Sequence, residues 1–235
     1  MSRAAQHLLV PSLGLVLGGA LWGAYWIPLR AIGETGPQLG WPGLLIYVCT
    51  AVLLLPVAVM RWRHIWANLW GIASCGLLTG MAFSFYGTSL FFTDVVRAIL
   101  LFYLTPIWGT LLGIFVLGER LTIWRVLALL AGLAGLLTVF WDGGNVPLPR
   151  NLGDWLALAS GLAWALGTLQ LHRTPGIPVS EQVTAFVWGS LIVTLASIAL
   201  SGGVLGPVPT IQDLTRSAPL VLATSIYVVP MLFLT

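Results

Sequence analysis

From Leu8 to Leu29 the chain runs for 22 residues without a charged side chain, and comparable runs recur to its end. A helix needs about 20 mostly apolar residues to cross the hydrocarbon of a bilayer. The recurrence predicts spans at 8–30, 41–60, 68–90, 95–117, 122–141, 154–171, 182–200 and 218–235. In lipid every backbone polar group must be bonded within the protein, so only helices and closed barrels cross. Long apolar runs, rather than ten-residue alternation, select helices. The expected fold is an all-α membrane protein, a polytopic helical bundle with eight transmembrane helices and no room for a soluble domain. Its first partner is the lipid bilayer.

Composition agrees. Only 7% of residues are charged and 58% are hydrophobic, against about 25% charged in a soluble domain. The net charge of +3 comes from ten arginines and no lysine, placed singly or in pairs. That is not the clustered basic and aromatic footprint of a nucleic-acid binder, so no nucleic acid is expected as a partner. Cys49 and Cys75 lie inside apolar runs and read as small hydrophobes. The first run exceeds the 7 to 15 apolar residues of a signal-peptide core, and lacks a small-residue cleavage site. It reads as the first membrane helix.

Arginine placement predicts orientation. With the N-terminus inside, Arg3, Arg61, Arg63, Arg120, Arg125 and Arg173 fall on the cytoplasmic side, while Arg150 and Arg216 fall in outer loops and Arg30 and Arg97 near outer helix ends. The excess follows the positive-inside rule. A plasma or bacterial inner membrane is the expected location.

The chain also resembles itself at a shift of 142 residues. Gly19-Ala-Leu-Trp22 meets Gly161-Leu-Ala-Trp164, and Leu90-Phe-Phe-Thr93 meets Leu232-Phe-Leu-Thr235. The shift spans five helices. Five is odd, so the second copy enters from the opposite side, as in the inverted repeats of secondary transporters. Residues 1–142 then form a first five-helix repeat, and 143–235 a second with only three of its helices. Ten helices are expected in the complete protein; a coding sequence ending naturally at Thr235 contradicts this.

Two motifs carry a family resemblance: LWGAYWIPLR in the first span, and TPIWGTLLGIFVLGERLT across the fourth and its exit. With them the chain resembles the EamA-type drug/metabolite transporter superfamily over nearly its whole length. The second half carries GLAWALGTLQLHR at the matching place but ends before a second proline and Gly-Glu motif. The resemblance implies a ten-helix exporter or exchanger of amino acids or other small metabolites, with no cofactor.

Candidate substrate-binding residues follow from helical spacing. Trp22, Trp26 and Arg30 recur at i, i+4 and i+8 and share a stripe, whose counterpart in the sixth span is Trp164, Thr168 and His172. Facing stripes would enclose an aromatic cavity with a cationic end, where Arg30 attracts a carboxylate. The competing reading makes them an interfacial aromatic belt with a snorkelling cation. Tyr86, Tyr103 and Tyr227 bring hydroxyls into apolar zones, where each wants a partner. Pro106 removes a backbone donor; it either kinks the fourth span to widen a pathway, or makes a packing kink satisfied by Thr105 or Thr110.

The remaining features read as structural. Gly19 with Gly23, Gly76 with Gly80, and Gly109 with Gly113 form small-residue faces for close helix packing. Gly118-Glu119-Arg120 ends a helix, with Gly118 left-handed. Asp94 and Arg97 read as a cap and an ion pair, and His64 as a solvated loop residue. Every acid, Glu181 and Asp154 included, falls at a span end or in a loop, which weakens proton antiport. No nucleophile–base pair or metal-ligand spacing supports an intramembrane enzyme. A non-transporting scaffold or assembly subunit is the other alternative. Substrate identity and oligomeric state are not written in the residues.

Overall fold

A computed structural model describes the backbone of residues 3–140 and 149–234, and the side chains of 12–138 and 149–234. The expected repeat boundary at 142 and 143, Asp142, Thr235, and the Arg3 and His7 side chains lie outside these. Among the described residues all regular structure is helical. The order is α1 Arg3–Ala24, α2 Trp26–Glu34, α3 Trp41–Leu53, α4 Leu55–Ala67, α5 Leu69–Ser89, α6 Val95–Phe102, α7 Thr105–Leu117, α8 Ile123–Phe140, α9 Leu152–Arg173, α10 Val179–Leu200 and α11 Ile211–Phe233.

Among the described residues six segments are long and apolar enough to cross a membrane: Ser12–Glu34, Leu69–Ser89, Val95–Leu117, Leu152–Arg173, Val179–Leu200 and Ile211–Phe233. The α3–α4 pair makes a seventh if it is one span, and Ile123–Thr138 is a shorter apolar helix. The chain is a multi-pass membrane protein. Its outward surface is apolar, with Trp70 88% and Phe115 81% exposed, as hydrocarbon requires.

Prolines explain why three expected spans are each two helices. Pro28 has no N–H for the Ala24 carbonyl, and α1 gives way to α2 at Tyr25, whose N–H reaches only Trp22 O at 3.3 Å. Pro56 does the same at the α3–α4 junction, where the two helices bend by 72°. This break in the expected 41–60 span, and the extension of α4 to Ala67, went unread in the sequence. Pro106 divides α6 from α7. It orphans the Phe102 carbonyl, and Thr105 Oγ1 donates to that oxygen at 2.6 Å. The satisfied packing kink is therefore present.

At the centre α5 packs between α9 and α10. Small residues let the backbones meet. A Cβ on Gly189 of α10 would lie 1.9 Å from Gly76 O, and one on Gly80 2.3 Å from Gly189 C. Gly167 of α9 sits against Thr79, and Gly161 against Phe102 O. Polar bonds cross the same contacts: Thr194 Oγ1 donates to Ser84 Oγ at 2.7 Å, and Gln170 Nε2 to Ser74 Oγ at 2.9 Å. α6 and α7 lie on α9, α3 lies on α10, and α11 packs on α1, α2 and α3. Tyr25, Leu29, Tyr47, Phe83, Val187 and Met231 are buried in the core between them.

Three sequence expectations are corrected. Gly19 and Gly23 are not a packing face: nothing lies within 4 Å of a Cβ at either. Arg97 pairs with Asp154 (Nε–Oδ2 2.7 Å) rather than with Asp94. Asp154 is fully buried and also accepts from Thr93 Oγ1 at 2.7 Å and the Arg150 N–H at 2.8 Å. A span-end acid had to be buried here because α9 begins beneath the α5–α6 turn, where only paired charge is tolerated. Asp94 holds the N-cap position of α6 without a side-chain cap bond. His64 is not simply solvated: its Nδ1 lies 2.6 Å from Glu181 Oε2. The α7 exit is as expected, with Gly118 at φ 68°, its own N–H bonded to Gly113 O in the six-to-one pattern of a glycine-closed helix, and the Glu119 N–H reaching the same oxygen at 2.9 Å.

Candidate functional site

A cavity of about 270 Å³ opens between α1, α5, α6 and α9, lined by Gly19, Trp22, Gly23, Phe83, Tyr86, Phe102, Tyr103 and Trp164, with Ala82 and Ile99. Its walls follow from local sequence. The absent side chains of Gly19 and Gly23 leave space along α1, one turn before Trp22 and directly after it. The Pro106 break ends α6 at Phe102 and turns Phe102 and Tyr103 to the cavity, Tyr103 being 64% exposed.

The rings form one continuous cluster. Trp22 and Trp164 stand edge to face with centroids 5.7 Å apart. Phe83 lies 5.1 Å from Trp22 and Phe186 6.2 Å from Trp164. Phe102 bridges Trp164 at 6.4 Å and Tyr86 at 5.3 Å. Edge-to-face pairs at these separations fix ring orientation and add about 0.5–1.5 kcal/mol each beyond burial. No lining residue is charged. Such a space can hold a flat or apolar body by ring contact and offers the tyrosine hydroxyls and indole N–H groups to its polar atoms.

Of the ten residues expected at a substrate path, Trp22, Tyr86, Tyr103 and Trp164 line this cavity. Pro106 sits just beyond, shaping it through the break. Trp26 packs against the core cluster instead. Thr168 and His172 are exposed, and Thr168 Oγ1 donates to Trp164 O within its own helix at 2.9 Å. Arg30 lies elsewhere: its Nε and Nη2 donate to Leu90 O at 3.1 and 2.6 Å, and Nη2 to Thr93 O at 3.3 Å. The guanidinium thus ties the carboxyl end of α5 to α2, beside a separate hollow of about 330 Å³ that includes Glu34, Gln38 and Phe91. Tyr227 donates to Leu21 O, close to the α1–α2 break. Its hydroxyl supports the broken first span.

Phe83, Phe102 and Phe186 were missed by sequence reasoning. A phenylalanine in a run of apolar residues carries no signal of its own. Phe102 was discoverable, since it directly precedes Tyr103 and stands four residues before Pro106. Among the described residues no group of three or more His, Cys, Asp or Glu side chains is placed to hold a metal.

Comparison with known proteins agrees with this architecture. Over 94% of its length the chain superposes on 79% of a solved chain described only as "Crystal structure of protein", with TM-score 0.55 and 23% identity, which shows a shared fold. It is 25% identical over 169 residues to the uncharacterized transporter YoaV of Bacillus subtilis (strain 168), covering 67% of this chain and 55% of that one. It is 26% identical over 186 residues to the uncharacterized transporter YvbV of the same organism, covering 77% and 58%. The chain thus spans a little over half the length of these relatives. Residues 10–141 match the EamA-like transporter family, more than half of the chain. By that match, the chain belongs to the EamA-like transporter family.

Proposed function

We propose that this chain builds the solute pathway of a membrane transporter that exports or exchanges small metabolites, amino acids among them, by alternating access. The carrying observation is the meeting of Trp22 and Trp164, 142 residues apart, at 5.7 Å across one aromatic cavity. In this reading residues 1–142 and 143–235 are inverted repeats about an axis through that cavity, the second with three of its five helices. The packing supports it. Exchanging the halves turns the α5–α9 and α5–α10 contacts into α11 contacts with α1, α2 and α3, all of which exist. Substrate-binding roles fall to Trp22, Tyr86, Tyr103 and Trp164, with Pro106 shaping the wall.

The protein sits in the cell membrane with its N-terminus in the cytoplasm, the side favoured by Arg61, Arg63, Arg120, Arg125 and Arg173. It acts as a carrier rather than an enzyme. No charge lines the cavity, so selection rests on shape and ring contact, with broad tolerance among amphipathic solutes.

The test is reconstitution of the full-length protein in liposomes with labelled amino acids. Trp22→Ala and Trp164→Ala each lower flux at least tenfold while Trp70→Ala, at a lipid-facing position, leaves it unchanged. Absence of flux from a folded full-length protein across a broad metabolite panel contradicts the proposal. Cysteine labelling that places Arg61 and Arg120 on opposite faces contradicts the topology.

A further inference from the structure

At the other end of α5 lies a groove of about 370 Å³ between α4, α5 and α10. Its walls are Trp62 and Trp66 of α4, Leu69, Ile72 and Leu77 of α5, and Trp188 and Ile192 of α10, with Glu181 among them. It exists because Pro56 swings α4 away from the axis of α3 by 72°, so α4 leans across the foot of α10 instead of packing along α5. Glu181 is wholly buried. One carboxylate oxygen, Oε2, meets His64 Nδ1 at 2.6 Å; the other, Oε1, has no hydrogen-bond partner. The first turn of α10 offers its dipole to the carboxylate. That field does not supply the missing donor.

A buried carboxyl oxygen without a hydrogen-bond partner is destabilising, and its surroundings here are three indoles and aliphatic side chains. We infer that the groove binds a lipophilic primary ammonium, its N–H donated to Glu181 Oε1 and its apolar body laid along Trp66, Trp188 and Leu77. Three features of the groove select that chemistry. The unmet group is an acceptor, so the ligand must bring a donor. The wall is aromatic, and indole faces attract cations. The volume falls in the range of small-ligand pockets, about 300–1,000 Å³, with exposed apolar residues Trp62, Trp66, Leu69 and Ile192 at its mouth, where an amphiphile enters from the membrane. Arg63 stacks over Trp62 at 5.9 Å. That ring already carries a cation, so Trp66 and Trp188 are left to the ligand. The site shares no lining residue with the Trp22 cavity and does not depend on transport. An amine of this kind is either a free solute or the headgroup of an aminophospholipid, and lipid composition separates the two.

The experiment is equilibrium binding of labelled phenethylammonium to the full-length protein in nanodiscs of phosphatidylcholine and phosphatidylglycerol. Unlabelled phenethylammonium displaces the label, its trimethylated analogue does so at least tenfold more weakly for lack of an N–H, and phenethyl alcohol does not. Glu181→Gln weakens binding at least tenfold, while His64→Ala, which touches only Oε2, retains it. Trp188→Leu weakens binding several-fold and serves as the arbiter if Glu181→Gln does not fold. Adding phosphatidylethanolamine either suppresses the label, which assigns the site to aminolipid, or leaves it unchanged, which assigns a free amine; both support the site. No binding by the wild-type protein, equal displacement by the alcohol, or unchanged affinity in folded Glu181→Gln and Trp188→Leu overturns it.

Discussion

Substituting Gly189 by alanine adds one methyl group where the structure leaves no room. The new Cβ would stand 1.9 Å from the Gly76 carbonyl oxygen, 2.5 Å from its carbon and 3.0 Å from the Leu77 nitrogen. All three are backbone atoms of α5, so no rotamer change relieves the clash. To bring the closest pair from 1.9 Å to ordinary contact at 3.4 Å the helices must part by about 1.5 Å. Separation on that scale breaks dispersion contacts along the central packing and pulls Thr194 from Ser84, now 2.7 Å apart. Overpacking alone costs about 1–3 kcal/mol, and loss of an interhelical hydrogen bond in a membrane adds about 0.6 kcal/mol. For a chain of this size each kcal/mol lowers Tm by roughly 2–4 °C, so Gly189→Ala falls by roughly 3–14 °C, towards the upper end because backbone cannot yield. The assay is thermal unfolding in detergent followed by tryptophan fluorescence. The control is Gly19→Ala, whose Cβ meets nothing within 4 Å and which leaves Tm within a degree or two. Equal Tm values for the two variants would refute the claim that backbone contact at Gly76 and Gly189 holds α5 to α10.

Thr105→Val strips the donor from Phe102 O and destabilises by about 1–3 kcal/mol; in a Pro106→Ala background the restored N–H takes that carbonyl, so the same change becomes nearly neutral in a double-mutant cycle. Asp154→Ala removes the buried carboxylate that meets Arg97 Nε at 2.7 Å and accepts from Thr93 and Arg150, and costs about 3–5 kcal/mol; chemical denaturation should show the Arg97→Ala, Asp154→Ala double variant less damaged than the sum of the singles. Arg30→Met removes the donors from Leu90 O and Thr93 O and lowers thermal stability. It leaves solute affinity at the aromatic cavity unchanged, and a selective loss of affinity for acidic solutes at full stability would return Arg30 to the substrate path.

The residues alone determined the solvent, the helical class and the family. Runs of about 20 uncharged residues admit one solution in hydrocarbon, and the Gly118-Glu119-Arg120 exit needs only local backbone geometry to be read. Trp22 and Trp164 were legible for the same reason: a periodic stripe plus an internal match names the pair before any contact is known. What failed was partner choice. Arg97 had Asp94 three residues away and took Asp154 instead. Arg30, on the same stripe as Trp22, turned to the carbonyls of Leu90 and Thr93, which are invisible in a sequence because every residue has one. Glycine spacing did not distinguish Gly76 with Gly80, pressed on α10, from Gly19 with Gly23, which face open space; that difference belongs to the neighbouring helix. Glu181 stands at a helix end, where acids are usually wetted, yet it is buried against His64 of a helix that Pro56 redirects. Local chemistry fixes which segments are helical and where they break, whereas the fate of a polar group in lipid depends on which distant surface covers it, and only the assembled bundle decides that.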